Sequence, residues 1–293
     1  MRASRSDAFT RTRRNRSIVW AKFRRNRLAS ASAVVVILLV LLAVCAPWVT
    51  PRDPLFIDMD HKFASPGQAG FLLGADELGR DVLSRLLHAG RVSLAVGLTT
   101  ALITVLIGSV LGALAGYYGG MVDATIMRLV DVLLSMPTIF LLLALSAFLK
   151  PTVFAITVII GLNSWMSVAR MVRGQILSIK QQEFIMAARA MGSSDRRLIF
   201  RELLPNAVAP VLVAATLNVA TAILLESSLS YLGYGIQPPT ASWGNMLNNA
   251  QTYVLYAPWV AIYPGIMITL TVLSFNFAGD GLRDALDPRL TLS

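Results

Sequence analysis

Long apolar runs alternate along this chain with short charged stretches. The uncharged runs lie between Arg27 and Arg52, Arg91 and Asp123, Asp131 and Lys150, Lys150 and Arg170, Glu202 and Glu226, and Glu226 and Asp280. A helix needs about 20 apolar residues to cross a bilayer. The last run is too long for one helix, and its polar, Pro- and Gly-containing residues 233–253 predict a loop that precedes the helix. The pattern therefore predicts six spanning helices, at residues 28–49, 92–116, 124–148, 152–171, 206–231 and 254–278.

The composition supports a membrane protein and argues against a soluble enzyme. Of the 293 residues, 55% are hydrophobic and only 14% are charged, whereas soluble domains contain about a quarter charged residues. A single cysteine, Cys45, excludes a disulfide framework and a cysteine-based zinc site. His61 and His88 are interpreted as loop and interfacial residues rather than nickel ligands. We therefore expect an all-α membrane protein without a metal site.

The basic residues indicate how the spans are oriented. Of the net charge of +10, most belongs to residues 1–27, which contain ten basic residues and one acidic residue. Residues 172–204 contain six basic and three acidic residues, while residues 232–253 contain no charge. The positive-inside rule then predicts cytoplasmic N- and C-termini and a cytoplasmic 172–204 segment. The basic tail is interpreted as this topology signal, with no nucleic-acid partner.

The predicted organisation follows from these assignments. It comprises a basic cytoplasmic N-terminal segment (1–27), a first transmembrane helix (28–49), an extracytoplasmic segment (50–91), a five-helix core (92–279) with a cytoplasmic loop at 181–206, and a cytoplasmic C-terminal tail (280–293). The first helix is predicted to be uncleaved, because its apolar stretch is longer than that of a signal peptide. Residues 73–91 predict an amphipathic helix at the membrane interface. The segments 50–91 and 232–253 either receive an extracytoplasmic protein or only cap the bundle.

No catalytic motif is found in the sequence. A phosphate-binding GxxxxGK[ST] loop, an HExxH helix and a GxSxG elbow are all missing from it, so we expect neither a catalytic site nor a cofactor on this chain. Arg128 and Asp131 have the i,i+3 spacing of an ion pair on one helix face. Glu226 lies inside the fifth span, where an acid is either a structural carboxylate or part of a transport path.

Residues 181–206 predict two short helices outside the membrane. Gly192 suits the left-handed position that ends a helix, and Ser193, Ser194 or Asp195 is suited to cap the next one. Pro205 then suits the first turn of the fifth span. The pair is either a docking surface for another protein or an ordinary amphipathic surface helix, and the pattern alone fits both.

This segment resembles the EAA loop of ABC-importer permeases. The matching residues run from Met186 to Gly192 and end at Leu204 and Pro205, with Met186 in place of the glutamate of that pattern. Residues 73–94, 116–137, 226–247 and 275–289 also resemble the C-type permease of dipeptide and oligopeptide ABC importers. Their order and spacing extend the resemblance over nearly the whole chain from residue 16.

The resemblance implies a type I ABC importer permease fold with six transmembrane helices and a cytoplasmic coupling helix, in the cell membrane. It implies that the chain pairs with a second, homologous permease subunit, with two ATP-binding subunits or one fused ATPase, and with an extracytoplasmic peptide-binding protein. ATP and Mg would be bound by the ATPase partners. Contact with the ATPase is implied for Glu183, Ala187, Ala188, Gly192, Leu204 and Pro205.

The transported molecule is less well defined. Permeases of this kind carry dipeptides, oligopeptides, glutathione, nickel chelates or haem, and peptides are the expected substrate here. Asn218, Thr221 and Glu226 are predicted to face the substrate pathway. A secondary carrier would need ion-coupling sites, and an intramembrane enzyme would need a nucleophile with a base or a metal. Neither set is recognisable in the sequence.

Close helix packing is predicted along the second span. Its small residues are regularly spaced, at Gly97, Gly108, Gly112 and Gly116.

Overall fold

The computed structural model describes residues 20–248 and 250–286, and these residues fold into helices joined by loops. We number the helices α1 (Arg27–Val49), α2 (Val82–Tyr118), α3 (Gly120–Leu134), α4 (Thr138–Phe148), α5 (Val153–Ile179), α6 (Glu183–Ala190), α7 (residues 195–206), α8 (Val208–Tyr231), α9 (Trp243–Leu247), α10 (Ala250–Tyr253) and α11 (Trp259–Leu286). Most of the predicted basic N-terminal segment and the last seven residues of the predicted C-terminal tail lie outside the described residues.

The predicted all-α membrane architecture is confirmed. Within the described residues, α1, α2, α5, α8 and α11 are each long and apolar enough to cross a bilayer, and the bent pair of α3 and α4 makes a sixth if the two are counted as one span. The bend is 88° and falls at residues 135–137. Pro137 causes it, because proline lacks the N–H of a continuing helix and disfavours helical backbone at the residue before it.

Helix α2 is longer than the predicted second span. It contains 37 residues, and the side chain of Asp81 caps its first turn by accepting a hydrogen bond from the backbone N–H of Ser84 at 2.7 Å. The separate interfacial helix predicted over residues 73–91 is therefore wrong. Residues 82–91 form the first turns of α2, because Asp81 begins the helix there and no proline interrupts it. At 1.5 Å per residue, α2 is about 55 Å long.

Close glycine contacts join α2 to its neighbours, as the small-residue spacing predicts. A Cβ at Gly108, Gly112 or Gly116 would lie within 3.0 Å of a backbone carbonyl oxygen of α5. A Cβ at Gly97 would lie 2.8 Å from Ile223 of α8. The GxxxG pair at Gly108 and Gly112 is therefore a real helix contact, and α2 packs more extensively against α5 than against any other helix.

Two groups of loop residues lie at opposite ends of α2. One group, which we call the cap, comprises residues 50–81 and 232–248, and it contacts the first turns of α2 and α11. The other comprises residues 180–207, which we call the 180–207 loop, and it contacts Tyr117 near the last residue of α2. Two separate hydrophobic clusters stabilise these ends.

Candidate functional site

The 180–207 loop contains the predicted helix–glycine–helix arrangement. Gly192 has φ +80° and follows the last turn of α6. The backbone N–H of Ser193 donates to the carbonyl of Ala188 at 3.1 Å, and that of Gly192 donates to Arg189 at 3.0 Å. These two bonds form a Schellman motif, which needs a left-handed residue at the glycine position. Gly192 therefore fixes the angle at which α7 leaves α6.

Helix α7 leads directly into the α8 span. Residues 198–203 of α7 form π-helical turns, and Pro205 follows them within the same helix. Pro205 has no N–H to donate to the carbonyl four residues earlier, which accounts for the altered hydrogen-bond pattern at this point. Leu198, Ile199 and Leu203 are buried against α5 and α2. The loop is thus packed onto the ends of the spanning helices.

Tyr117 joins the loop to the end of α2. Its side chain is 3% exposed, and its hydroxyl donates a hydrogen bond to Oδ1 of Asp195 in α7 at 2.5 Å. The Lys180 ammonium, at the end of α5, donates to the carbonyl oxygen of Tyr117 at 2.5 Å. The guanidinium of Arg189 in α6 lies 5.3 Å from the centre of the tyrosine ring, within cation–π distance. Tyr117 therefore contacts Lys180 just after α5, Arg189 of α6 and Asp195 of α7.

The charge of Arg189 is favoured by this environment. Its interaction with the Tyr117 side chain raises the pKa of Arg189 above its ordinary value, and an arginine is charged at physiological pH in any case. The cation–π contact with Tyr117 is therefore available at any physiological pH.

Two ion pairs connect α3 to α5. Arg173 binds Asp123 through both carboxylate oxygens, at 2.5 and 2.6 Å. Asp131 pairs with Arg170 of α5, whereas the i,i+3 spacing predicts a pair with Arg128. This prediction is wrong because α3 packs against α5 through Val130, Met166 and Ala169, which brings Arg170 to Asp131. The pairs hold α3 near the same end of the bundle as the 180–207 loop.

The predicted coupling residues lie mostly on the surface of the loop. Glu183, Ala187, Gly192 and Pro205 are exposed, while Ala188 and Leu204 are half-buried. Large apolar side chains are exposed beside them: Phe184, Met186, Met191 and Phe200. Exposed apolar groups on a polar loop are typical of interaction surfaces. Ile185 faces inward instead and is fully buried.

Glu226 has a set of hydrogen bonds inside the fold. It is fully buried, and its two carboxylate oxygens accept from the hydroxyls of Ser230 at 2.7 Å and Ser93 at 3.3 Å. Ser93 in turn accepts from the backbone N–H of Trp243, at 3.2 Å. Ser230 accepts from the N–H of Ile236 at 3.0 Å. The carboxylate therefore connects α8 to α2 and, through the two serine hydroxyls, to Ile236 and Trp243 of the cap.

Asn218, Thr221 and Glu226 do not converge on one point. The side chain of Asn218 is half-buried and donates to the carbonyl of Ala214 at 2.7 Å. Thr221 is exposed and donates to the carbonyl of Leu217 at 3.1 Å. Both polar groups thus bond within their own helix, whereas Glu226 bonds to neighbouring elements.

A buried ion network orders the other part of the cap. Asp76 accepts a hydrogen bond from Nε of Arg80 at 2.7 Å and forms an ion pair with Arg85, whose Nε lies 3.3 Å from it. Arg80 also binds Glu77 at 2.7 Å. The indole N–H of Trp259 donates to the carbonyl of Ala75 at 3.1 Å, which attaches this segment to α11. The cap is thus a folded part of the molecule.

Tyr117, Ser93 and Trp243 were not identified from the sequence. Each is an uncharged residue in an apolar or loop segment, and its partner lies 78 to 150 residues away. The local signal predicted Ser193, Ser194 or Asp195 as the cap of α7. Ser194 occupies the N-cap position without a side-chain bond, and the Asp195 carboxylate accepts from Tyr117.

This fold and this loop define the class of the protein. Residues 108–292 match the family described as the binding-protein-dependent transport system inner membrane component, and residues 16–66 match the N-terminal TM domain of oligopeptide transport permease C. The chain belongs to this family: it is a multi-pass inner membrane permease subunit of an ABC importer.

Curated relatives agree over most of the chain. Two of them are the glutathione transport system permease proteins GsiD of Escherichia coli O6:K15:H31 (strain 536 / UPEC) and Shigella boydii serotype 4 (strain Sb227). Each is 43% identical over 272 residues, which cover 92% of this chain and 89% of the relative.

A solved structure shares the fold. A chain of the MetNI methionine ABC transporter, in inward-facing conformations, aligns with a TM-score of 0.58 at 22% identity. The alignment covers 69% of this chain and 97% of that chain. The type I ABC importer permease fold is therefore confirmed.

Proposed function

We propose that this subunit forms half of the translocation pathway of an ATP-driven importer of short peptides, the class that includes dipeptides, oligopeptides and glutathione. The resemblance to oligopeptide permeases and the 43% identity to glutathione permeases support this class. A second, homologous permease subunit supplies the other half. An extracytoplasmic peptide-binding protein delivers the substrate to the cap.

We assign coupling to the 180–207 loop, and this assignment rests on one observation. The loop is a pair of short helices with an exposed apolar surface, and it is fixed by Tyr117 and a buried cluster to the ends of α2 and α5. Helix α6 docks on a cytoplasmic ATPase subunit through its exposed face, with Glu183 and Ala187 at the contact. Gly192, Leu204 and Pro205 pass the displacement on to α8.

The remaining assignments follow from the proposed coupling. Both termini and the 180–207 loop face the cytoplasm, as the basic residues of the N-terminal segment indicate. ATP and Mg bind to two ATPase subunits or one fused ATPase, and this chain supplies no cofactor site. Asn218, which is half-buried, and Thr221, which is exposed, line the substrate pathway.

The test of the substrate class uses the binding protein encoded with this transporter. Its affinity is measured by calorimetry for dipeptides, oligopeptides, glutathione, haem and nickel chelates, and uptake of each bound compound is then measured in proteoliposomes with the complete transporter. Peptide binding and ATP-dependent peptide uptake are expected. Binding of haem or nickel chelates alone would overturn the substrate class while leaving the coupling assignment intact.

A further inference from the structure

A groove between α1 and α2 lies apart from the 180–207 loop and from the pathway residues. Its volume is about 340 Å³, and it is lined mainly by apolar side chains. Trp48 and Arg91 lie at one end, and Val40 and Leu98 lie at the other, because the two helices run antiparallel. At 1.5 Å per residue, the groove extends for about 10 to 12 Å along the helices.

The ends of the groove differ in polarity. Trp48, in the last turn of α1, is 80% exposed, and tryptophan at a helix end is typical of the membrane–water interface. Arg91 is exposed beside it. Beyond this end, the floor and walls contain only apolar side chains, including the buried Ala43 and Leu94. The groove thus has a cationic opening and an apolar interior.

Arg91 has no carboxylate partner among the residues that the structure describes. Of the other arginines near this end, Arg80 and Arg85 are paired with Asp76, and Arg52 donates to the carbonyl oxygen of Ala69 at 2.9 Å. A guanidinium at the level of the headgroups binds a phosphate strongly, through charge-assisted hydrogen bonds. An anion with an apolar tail therefore matches both parts of the groove.

We propose that the groove binds one membrane phospholipid, with its phosphate on Arg91 and one acyl chain between α1 and α2. The small side chains of Ala43 and Ala95 leave room for the chain. The lipid would then fill the space between the first span and the rest of the bundle. This site is separate from the peptide pathway and does not depend on the transported molecule.

The first experiment counts the phospholipids that remain on the intact transporter. The complete complex is purified from membranes, washed with detergent under fixed conditions and analysed by native mass spectrometry. Arg91→Gln removes the phosphate contact and Ala95→Leu fills the groove. Each is expected to lower bound phospholipid about fivefold or more. The matched control is Ala147→Leu, an exposed alanine of α4 outside the groove, which is expected to retain it. Wild-type retention in both groove variants would overturn the proposal.

The second experiment identifies what occupies the groove. A photo-crosslinking amino acid at Leu98 of the complete complex is expected to give an adduct with the mass of a phospholipid in nanodiscs of phosphatidylglycerol and phosphatidylethanolamine. Excess inorganic phosphate is expected to leave this adduct unchanged, because the acyl chain supplies most of the contact. An adduct with another polypeptide, or loss of the lipid adduct in phosphate, would overturn the proposal.

Discussion

The cap and the 180–207 loop stabilise opposite ends of α2 in different ways. At the cap end, Asp76 and Trp243 of the cap and Glu226 of α8 are all less than 5% exposed, and their polar atoms bond to several elements. At the other end, Tyr117 of α2 joins the 180–207 loop, and its polar partners Asp195 and Arg189 are exposed. The cap end is therefore fixed by buried polar groups, while the loop is attached through the Tyr117 ring and a buried apolar cluster and exposes its polar groups.

Because of this difference, substitutions at the two ends should change different properties of the protein. Breaking a buried polar network costs more than breaking an exposed hydrogen bond, because a buried group left unpaired loses its water as well. Substitutions in the cap should therefore reduce the stability of the whole subunit. Substitutions in the loop should leave the subunit folded and reduce transport for each ATP hydrolysed.

Trp243→Ala should cause the largest loss of stability. The indole is 1% exposed, packs against Gly90 and donates to the carbonyl of Leu86 at 3.1 Å. Removing a buried tryptophan costs about 3–5 kcal/mol. The melting temperature of the purified complex in detergent should fall strongly. Trp20→Ala, at a tryptophan that is 61% exposed, is the control and should melt like the wild type.

Glu226→Leu should be the next most destabilising substitution. It leaves the hydroxyls of Ser93 and Ser230 without their acceptor, at a cost of about 1–3 kcal/mol for each unpaired group. Glu226→Gln keeps an acceptor oxygen and should retain both folding and uptake. Thr221→Val, on the same helix, is the control for stability. A folded Glu226→Gln protein without uptake would show that the carboxylate takes part in transport.

Gly192→Val should have a smaller effect on stability and a clear one on coupling. A branched residue at φ +80° costs about 1–2 kcal/mol, although a Cβ at this position would meet no atom within 4 Å. The angle between α6 and α7 should therefore change, and uptake per ATP should fall. Gly192→Asn, which tolerates the left-handed region, should retain coupling. Gly174→Ala in α5, also with open space around it, is the control and should leave uptake per ATP unchanged. Equal uptake per ATP in all three variants would contradict the role of Gly192.

The helices and their close contacts could be predicted from the sequence because their signals are local. Apolar runs gave the spans, Gly192 gave the left-handed helix end, and the spacing of Gly108 and Gly112 gave the packing face. Each signal depends on residues within a few turns of one another. The bend at Pro137 was missed because the charge-free run continues through it.

The polar connections could not be predicted because each depends on residues far apart in sequence. Ser93 and Glu226 are 133 residues apart, and Tyr117 and Asp195 are 78 apart. Asp131 illustrates the same limit: Arg128 on its own helix was the nearer partner in sequence, yet Arg170 of α5 binds it. Which of two possible arginines is closer is decided by helix packing.

Tyr117→Phe should have the smallest effect on stability and tests the attachment of the loop most directly. It removes only the hydroxyl that bonds to Asp195, at a cost of about 1 kcal/mol, while the ring keeps its packing and its contact with Arg189. The complex should assemble and melt near the wild-type temperature, but uptake per ATP should fall because α7 is no longer hydrogen-bonded to α2. Tyr118→Phe is the matched control, because this neighbouring tyrosine is 51% exposed and should behave like the wild type. Asp195→Asn keeps an acceptor oxygen for the hydroxyl and should lose less coupling than Tyr117→Phe. If Tyr117→Phe and Tyr118→Phe transport equally well per ATP, the loop is held by its apolar cluster alone, and the hydrogen bond to α2 is not part of the coupling path.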